Sequence, residues 1–528
     1  MNYSQENGIS SDRKINFLVW QGNAEIECGG DFIIPDAKKD IKKVLWSEFR
    51  PEEQRLTASE GIISAKGSVR AMIVYLAEDA TLSFCDFLIP YEKDFSAPGV
   101  AAGSDVFWSG SVAERSVKPI NSRKIRLSAV LRAFLFVFSE ENAVPALRGL
   151  PASSLSTVRE RKSAAKNSFL TAARSVSVPV TADLEVGSAQ PAPGEITAGE
   201  ITVVPVSAEA EENGVRMTYE CRFSFLCSGE NGNYYPMKKK IRQTETIEVP
   251  GCSPGDRVFL TASAGELKSD ISENSFGEKR VIEADAVCSF TLSVYREEET
   301  LLTEDLYSTV YPTGEVTEKG GKTVLFLRTV SSGYSDNVSF PKEECGAKGA
   351  VSVVDCHASA MVSGIEADPE RQKISVSGKL FLSALTVEAG EDGSALPGIA
   401  SAETPFRCEL DAGTLPDAEN VLPVSLSVTE CVCRMDAGKL YFDTELYFSA
   451  PVFSFSTRRY VTEAAFSEVP AERGEMPTVI LCYPTPGETL WEIAKKYRSS
   501  TDALLTVNRM TEKDLPKKKV LLIPTDAV

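Results

Sequence analysis

The single histidine of the chain, His357, limits the chemistry that the sequence can support. Because only one of the 528 residues is a histidine, a zincin motif and any metal site with two histidine ligands are excluded. A Ser-His-Asp triad needs only one histidine and is not excluded by count. However, His357 lies in an alternating run from Val353 to Ala360, with no glycine-flanked elbow nearby that would expose a nucleophile. This pattern favours a partly buried strand histidine over a catalytic one.

The twelve cysteines are scattered through the chain without a C-x-x-C pair, so they indicate neither a zinc site nor a redox motif. Cys221 stands at an apolar position of an alternating pattern, which is typical of cysteine used as a small hydrophobic residue. Cys431 and Cys433 place two thiols on one face of a strand, and we interpret them as inward-facing core residues.

One segment imitates a phosphate-binding loop. Gly320-Gly321-Lys322-Thr323 matches the end of the G-x-x-x-x-G-K-[ST] pattern, but Val316 stands where that pattern requires glycine, so we predict a hairpin turn instead. Aspartate and glutamate are abundant, yet no pair of them lies in a recognisable catalytic motif. We therefore predict that the protein is not an enzyme and holds no cofactor and no metal.

The composition excludes further classes of protein. Asp and Glu outnumber Lys and Arg by 75 to 56, a formal net charge of −19 that repels phosphate backbones and anionic lipids, so nucleic acid is not an expected partner. The longest apolar stretch, Ala133 to Phe138, is far shorter than the roughly 20 residues of a membrane helix. The amino terminus lacks the basic flank and apolar core of a secretory signal. Together with the unpaired thiols, these features predict a cytoplasmic protein without a membrane span.

From about Phe17 to Phe466 the apolar residues recur at every second position, which predicts a mainly β region of antiparallel strands. Two segments, Pro98–Phe107 and Pro250–Phe259, share the pattern P-G-x-x-x-G-x-x-V-F, whose glycines allow a positive φ where the chain reverses. The third copy is degenerate, with Asp436–Phe442 as the counterpart of the charged turn that follows the motif. We predict tandem, sandwich-like β modules at residues 17–145, 176–300 and 301–466, with a linker at residues 146–175.

A short basic helix is predicted near the start of the first module. Asp36 can cap a helix in which Ile41, Val44 and Leu45 follow one another at i, i+3 and i+4. The opposite face is then formed by Lys38, Lys39, Lys42 and Lys43. That face is interpreted as solvated, with a docking site for an acidic partner as the alternative.

Residues 476–528 change to a strand, helix, helix, strand pattern. Thr489 and Glu492 form a T-x-x-E capping box at the start of the first helix. Inside this helix the apolar stripe runs from Leu490 to Tyr497, and Trp491 falls outside it. Thr501 is the expected cap of the second helix. Trp491 either packs on the small core or contacts a partner, since exposed tryptophan is enriched at binding hot spots.

The segment from Gly487 to Tyr497, followed by Leu504, Leu505 and Asn508, resembles a LysM domain. The resemblance implies a small βααβ fold that binds N-acetylglucosamine-containing glycans between two loops. It departs from the usual pattern at Glu488, where Asp is common, and at Pro516–Lys519, where a Pro-Gly turn is common and a basic edge results. The binding residues that the resemblance implies are Gly487, Glu488, Thr489, Leu490, Trp491, Asn508, Arg509 and Met510.

The β region has a resemblance of its own. Ile34–Lys38, Val74–Leu76, the Pro98-Gly99 turn and Asn121–Ile125 resemble the SPOCS domain of spore-coat proteins. SPOCS modules followed by a LysM domain are the arrangement of the SipL-type coat morphogenetic proteins. This resemblance implies a non-enzymatic scaffold in the mother-cell cytoplasm, peripheral at the forespore surface and spore coat. Its partners would be the spore-coat basement ATPase and other coat proteins. The alternative is a carbohydrate-binding protein that recognises peptidoglycan or cortex glycan.

Overall fold

A computed structural model describes residues 13–229, 232–347, 351–389, 395–413, 424–472, 478–511 and 520–524. In this part of the chain, long antiparallel strands dominate, and they form three units of six strands each. The mainly β fold predicted from the alternating pattern is therefore confirmed. The basic segment Pro516–Lys519 lies outside the described residues.

The strands follow one another in the same order in each unit. Unit 1 contains β1 Lys14–Ile33, β2 Ile41–Ser59, β3 Ile62–Ala77, β4 Leu82–Ser96, β5 Asp105–Asn121 and β6 Lys124–Asn142. After the short β7 Ala146–Arg148 and a 3-10 helix Ala152–Thr157, unit 2 contains β8 Val158–Glu185, β9 Pro193–Glu211, β10 Gly214–Gly229, β11 Tyr234–Glu248, β12 Arg257–Glu273 and β13 Lys279–Ser308. Unit 3 contains β14 Thr313–Pro341, β15 Val351–Asp368, β16 Lys373–Ala389, β17 Ala395–Asp411, β18 Ser425–Asp436 and β19 Lys439–Phe466.

Each unit is a sandwich of two three-stranded sheets. In unit 1 one sheet has the order β5-β6-β1 and the other β2-β3-β4, and units 2 and 3 repeat this order with their corresponding strands. The inner faces carry the alternating apolar residues, as in β10, where Tyr219 is fully buried and its ring centroid lies 4.6 Å from that of Phe290 in β13. Burying one face of each sheet against the other provides most of the stabilisation of such a sandwich.

The repeated P-G-x-x-x-G-x-x-V-F motif forms the turn between the fourth and fifth strands of units 1 and 2. Gly99 and Gly251 have φ angles of +87° and +85°, a region that other L-residues enter only with strain. In both units this turn is hydrogen-bonded to an earlier hairpin. The Gly61 amide donates to Val100 O at 2.8 Å, and the Asn213 amide donates to Cys252 O at 2.8 Å. The two copies of the motif therefore have the same structural role.

The three units pack against one another through a mostly aromatic cluster. Strands β1 and β14 pair through Phe17 and Leu18, which joins sheets of units 1 and 3. Unit 2 packs on this joined sheet. The cluster contains residues of all three units: Phe107, Phe136, Phe138, Phe259, Tyr295, Val324, Phe326 and Phe453.

The predicted linker at residues 146–175 differs from the structure. Only its first part is a connection, because β8 begins at Val158 and pairs with β13 along its whole length, from Val158 opposite Ser308 to Glu185 opposite Val281. The long β13 supplies partners for this serine- and lysine-rich segment, so tertiary pairing overrides its weak local propensity. The boundary placed after Thr300 likewise falls inside β13, since that strand runs to Ser308.

The predicted helix after Asp36 is wrong. Residues from Ile41 onward pair with β3, beginning with Ile41 opposite Ala77. The preceding carbonyls accept hydrogen bonds from Arg123, whose guanidinium donates to Ile34 O at 3.0 Å and to Lys38 O at 2.7 Å. These carbonyls are therefore satisfied by a distant side chain instead of by helical amides.

The predicted hairpin turn at Gly320–Thr323 is also wrong, because this segment lies inside β14. There Gly321 pairs with Arg458 and Thr323 pairs with Ser456 of β19. A Cβ atom on Gly321 would lie only 2.7 Å from the ring of Phe17, so the glycine permits close contact between strand and ring.

The carboxyl-terminal part forms a small βααβ unit with β20 Val479–Cys482, α1 Leu490–Tyr497, α2 Thr501–Asn508 and β21 Leu521–Pro524. Strands β20 and β21 pair antiparallel. The capping box of Thr489 and Glu492 is present as predicted. The cap of α2 is Ser500 instead of Thr501, because the Ser500 hydroxyl accepts the hydrogen bond from the Ala503 amide. In the described residues, neither helix is long and apolar enough to cross a membrane.

Candidate functional site

The core of the βααβ unit holds its two loops together. Leu490 follows the loop after β20, and Met510 begins the loop after α2. Both side chains are buried in one apolar cluster with Ile493, Leu504 and Ile523. Because the residue after the first loop and the first residue of the second loop share one core, the ends of the two loops lie close together.

The eight predicted binding residues fall into three groups. Gly487, Thr489 and Arg509 are exposed, although the amide and hydroxyl of Thr489 are hydrogen-bonded to Glu492 in the capping box. Leu490 and Met510 are buried, so the structure gives them a packing role. The remaining three, Glu488, Trp491 and Asn508, are partly buried and make specific contacts within the chain.

Glu488 stabilises the first loop. Its carboxylate accepts hydrogen bonds from the amide and the hydroxyl of Thr485, at 3.0 and 3.1 Å. Gly487, between them, has a φ of +88°. The carboxylate thus closes a tight turn directly before Thr489, the cap of α1.

Asn508 joins α2 to the closing strand. Its Nδ2 donates to Leu504 O at 2.8 Å and to Leu522 O at 2.7 Å, while its Oδ1 accepts from the Leu522 amide at 2.8 Å. The two bonds to Leu522 reproduce the pairing that a neighbouring strand would give. Asn508 therefore has a structural role in forming the second loop.

Trp491 is partly buried and contacts unit 2. Its indole Nε1 donates to Asp305 Oδ2 at 2.7 Å, and its ring lies edge-on to Tyr307 with centroids 5.0 Å apart. Burial raises the pKa of Asp305, but hydrogen bonds from Lys495 and Trp491 outweigh it and hold that pKa below its ordinary value. No local pattern points to Asp305 or Tyr307, since both lie in a strand of the β region.

A second candidate site surrounds His357, where side chains of all three units meet. His357 in β15 lies 3.0 Å from Glu48 of β2 and 3.8 Å from Glu200 of β9, measured between ring nitrogens and carboxylate oxygens. Arg50 bridges the two carboxylates at 3.3 Å from each. The ring of Trp46 stacks near His357 with centroids 6.3 Å apart.

Charge pairing governs protonation at this junction. Burial lowers the pKa of His357, but hydrogen bonds and charge attraction from Glu200 and Glu48 outweigh it and raise that pKa to about 10. Burial likewise opposes ionisation of Glu200, yet His357 and Arg50 lower its pKa to about 2. The imidazole is therefore protonated at neutral pH and both its nitrogens face carboxylates, an arrangement that suits an ionic connection between units and not a general base.

A cavity of about 510 Å³ adjoins the junction, between units 1 and 3. Trp46, Arg115 and His357 line it together with serine hydroxyls of the outer face of the β15-β16-β17 sheet. Arg115 donates to Ser359 Oγ at 2.7 Å and lies 3.5 Å from Glu48. Its guanidinium is thus engaged within the protein.

No metal site is evident in the part of the chain that the structure describes, where no group of three or more His, Cys, Asp or Glu side chains is placed to hold an ion. All twelve cysteines are free. Cys431 is buried and Cys433 is half-buried, and both pack on the core of unit 3, as predicted.

An apolar surface covers the outer face of the β20–β21 pair. Leu481 is 59% exposed and Tyr483 is 70% exposed. Val479, Val520 and Leu522 are also exposed, and Leu481 pairs directly with Leu522. Contiguous exposed apolar side chains of this kind are typical of interaction sites.

Residues 485–524 match the LysM domain family. This segment contains both loops, the two helices and β21, so the carboxyl-terminal unit is a LysM domain and the predicted resemblance is confirmed there. The comparison with curated proteins finds no match. Among solved structures, a crystal structure of lipopolysaccharide binding protein covers 51% of this chain and 91% of its own, at 7% identity and a TM-score of 0.07.

Proposed function

We propose that the protein is a non-enzymatic scaffold whose three-unit body presents a LysM domain as its binding module, and that this domain binds an N-acetylglucosamine-containing glycan. The match of residues 485–524 to the LysM family carries the proposal. The exposed Gly487, Thr489 and Arg509 on the two loops support it, because a ligand can reach them without any rearrangement of the core. The engagement of both nitrogens of the single histidine supports a body without catalysis.

Arg509 provides a sharp test on the full-length protein. Both Arg498 and Arg509 are exposed, end a helix and have a left-handed φ, +53° and +47°. Only Arg509 belongs to a predicted binding loop, so Arg498 is its matched control. We expect Arg509→Ala to reduce retention on purified peptidoglycan several-fold and Arg498→Ala to leave it unchanged. If the wild-type chain is not retained, glycan binding is rejected.

The second candidate is a spore-coat scaffold that tethers coat proteins through the LysM domain, with the coat basement ATPase as partner. The apolar outer face of the β20–β21 pair favours it, since protein partners bury such surfaces. This candidate predicts that Leu481→Gln weakens co-precipitation with the purified ATPase, whereas Val206→Gln, a change at an exposed apolar side chain of unit 2, does not. If Leu481→Gln co-precipitates with the ATPase as well as the wild type does, a contact through this apolar face is rejected.

A further inference from the structure

The end of β13 presents two side chains to the LysM domain. The pairing register of β13 with β8 shifts between Thr303 and Asp305, and the strand then continues to Ser308. Asp305 and Tyr307 are two residues apart, so they point to the same face of the strand. Tyr307 is 2% exposed and belongs to the LysM core cluster, although it lies in unit 2.

One face of α1 meets these side chains. Trp491 and Lys495 are four residues apart and lie on one face of α1, and Ser499 follows the left-handed cap Arg498 just after the helix ends. Trp491 Nε1 and Lys495 Nζ donate to different oxygens of Asp305, each at 2.7 Å. The Tyr307 hydroxyl donates to Ser499 O at 2.7 Å. Each of these three residues therefore has a polar partner on β13.

The indole of Trp491 is partly buried and packs against unit 2. Tyr307 lies edge-on to it, and the guanidinium of Arg161 in β8 lies 5.9 Å from the ring centroid. Gly487, Thr489 and Arg509 are exposed in this arrangement. The docking contact and the loop surface are therefore separate parts of the LysM domain.

We propose that Asp305 and Tyr307 form an intramolecular docking site for α1 that holds the LysM domain in one orientation and withholds Trp491 from external ligands. A partner that contacts Trp491 must first displace unit 2, whereas a ligand of the loops binds the docked domain directly. Trp491 is thus a positioning residue in the docked state. The inference goes beyond the proposed function, because it holds whatever the loops bind.

The test follows Trp491 in the full-length chain labelled with 5-fluorotryptophan. Four tryptophans give four fluorine resonances, and Trp491→Phe assigns the one of interest. A soluble paramagnetic gadolinium chelate then measures the exposure of each indole. In the wild type we expect little broadening at Trp491. In the double variant Asp305→Ala/Tyr307→Ala we expect several-fold more broadening of the Trp491 resonance. The broadening of the other three resonances should be unchanged.

Two further variants make the test decisive. Glu298→Gln, at an exposed carboxylate of the same strand, should leave Trp491 protected. Tyr307→Phe removes only the hydrogen bond to Ser499 and should give Trp491 an exposure between those of the wild type and the double variant. This single variant replaces the double variant if the latter does not fold. The proposal is overturned if Trp491 is fully accessible in the wild type, or equally protected in the folded Asp305/Tyr307 variants. The broadening measurement involves neither glycan nor protein binding. Failure of this proposal is therefore distinct from failure of the proposed function.

Discussion

Phe107 and Phe259, the last residues of the two copies of the repeated motif, lie in contact with their ring centroids 5.2 Å apart. One belongs to unit 1 and the other to unit 2. Phe453 of unit 3 lies against Phe107 at 5.9 Å, edge-on, and is fully buried. Corresponding positions of a repeat thus meet at the place where the three units join.

Phe453→Ala should strongly destabilise this junction. Phe453 contacts five aromatic rings, and truncation of a fully buried phenylalanine leaves a large cavity. We expect the free energy of unfolding to fall by about 3–5 kcal/mol in urea denaturation. Phe276→Ala is the control, because Phe276 is 84% exposed and its loss should change stability by less than about 0.5 kcal/mol. Equal effects of the two changes would contradict the role of the cluster.

His357→Gln should destabilise the protein in a pH-dependent way. The pKa of His357 in the folded state, about 10, lies above its ordinary value of 6.5. Its stabilising contribution is therefore fully present below pH 6.5 and is lost as the pH rises through about 10. Removing one partner of a buried ion pair costs about 3–5 kcal/mol. At pH 6 the free energy of unfolding of His357→Gln should therefore lie below that of the wild type by this amount.

The measurement is the unfolding midpoint of wild type and His357→Gln in urea from pH 6 to pH 10. The two curves should converge toward the alkaline end, since the wild-type imidazole then loses its proton. A constant difference across this range would show that the junction does not depend on the protonated histidine.

Asn508→Ala should loosen β21 without disturbing the three-unit body. It removes both hydrogen bonds to Leu522, and because these bonds are exposed we expect a loss of about 0.5–1.5 kcal/mol. Hydrogen exchange should show faster exchange of the Leu522 amide. Thr506 is exposed on the same helix, so Thr506→Ala should leave exchange of the Leu522 amide as slow as in the wild type. Unchanged protection in Asn508→Ala would reject the structural role.

Gly251→Ala tests the backbone requirement of the repeated motif. No atom lies within 4 Å of a Cβ built on Gly251, so any penalty comes from its φ of +85° and should be about 1–2 kcal/mol. Gly187 has equally open space and no positive φ, so Gly187→Ala should be neutral or slightly stabilising. Thermal unfolding of both variants distinguishes them, and similar midpoints would refute a conformational requirement at Gly251.

Local patterns predicted the elements that depend on neighbouring residues. The alternating apolar pattern, which includes Cys221, predicted buried strand faces such as that of β10, and the T-x-x-E box predicted the start of α1. The same patterns failed at the segment after Asp36 and at the serine-rich segment from Val158. In both segments a distant strand or an arginine supplies the hydrogen-bond partners, and no local pattern records them.

The sequence by itself determined the mainly β body, the repeated turn and the LysM domain, because each follows from residues within about one or two strand or helix lengths of each other. Only the tertiary structure decided that Trp491 lies against Asp305 and Tyr307, and that His357 bridges Glu48 and Glu200. These partners are separated by more than a hundred residues and lie on different units. Their contacts therefore depend on how the units pack, which the spacing of residues along the chain does not encode.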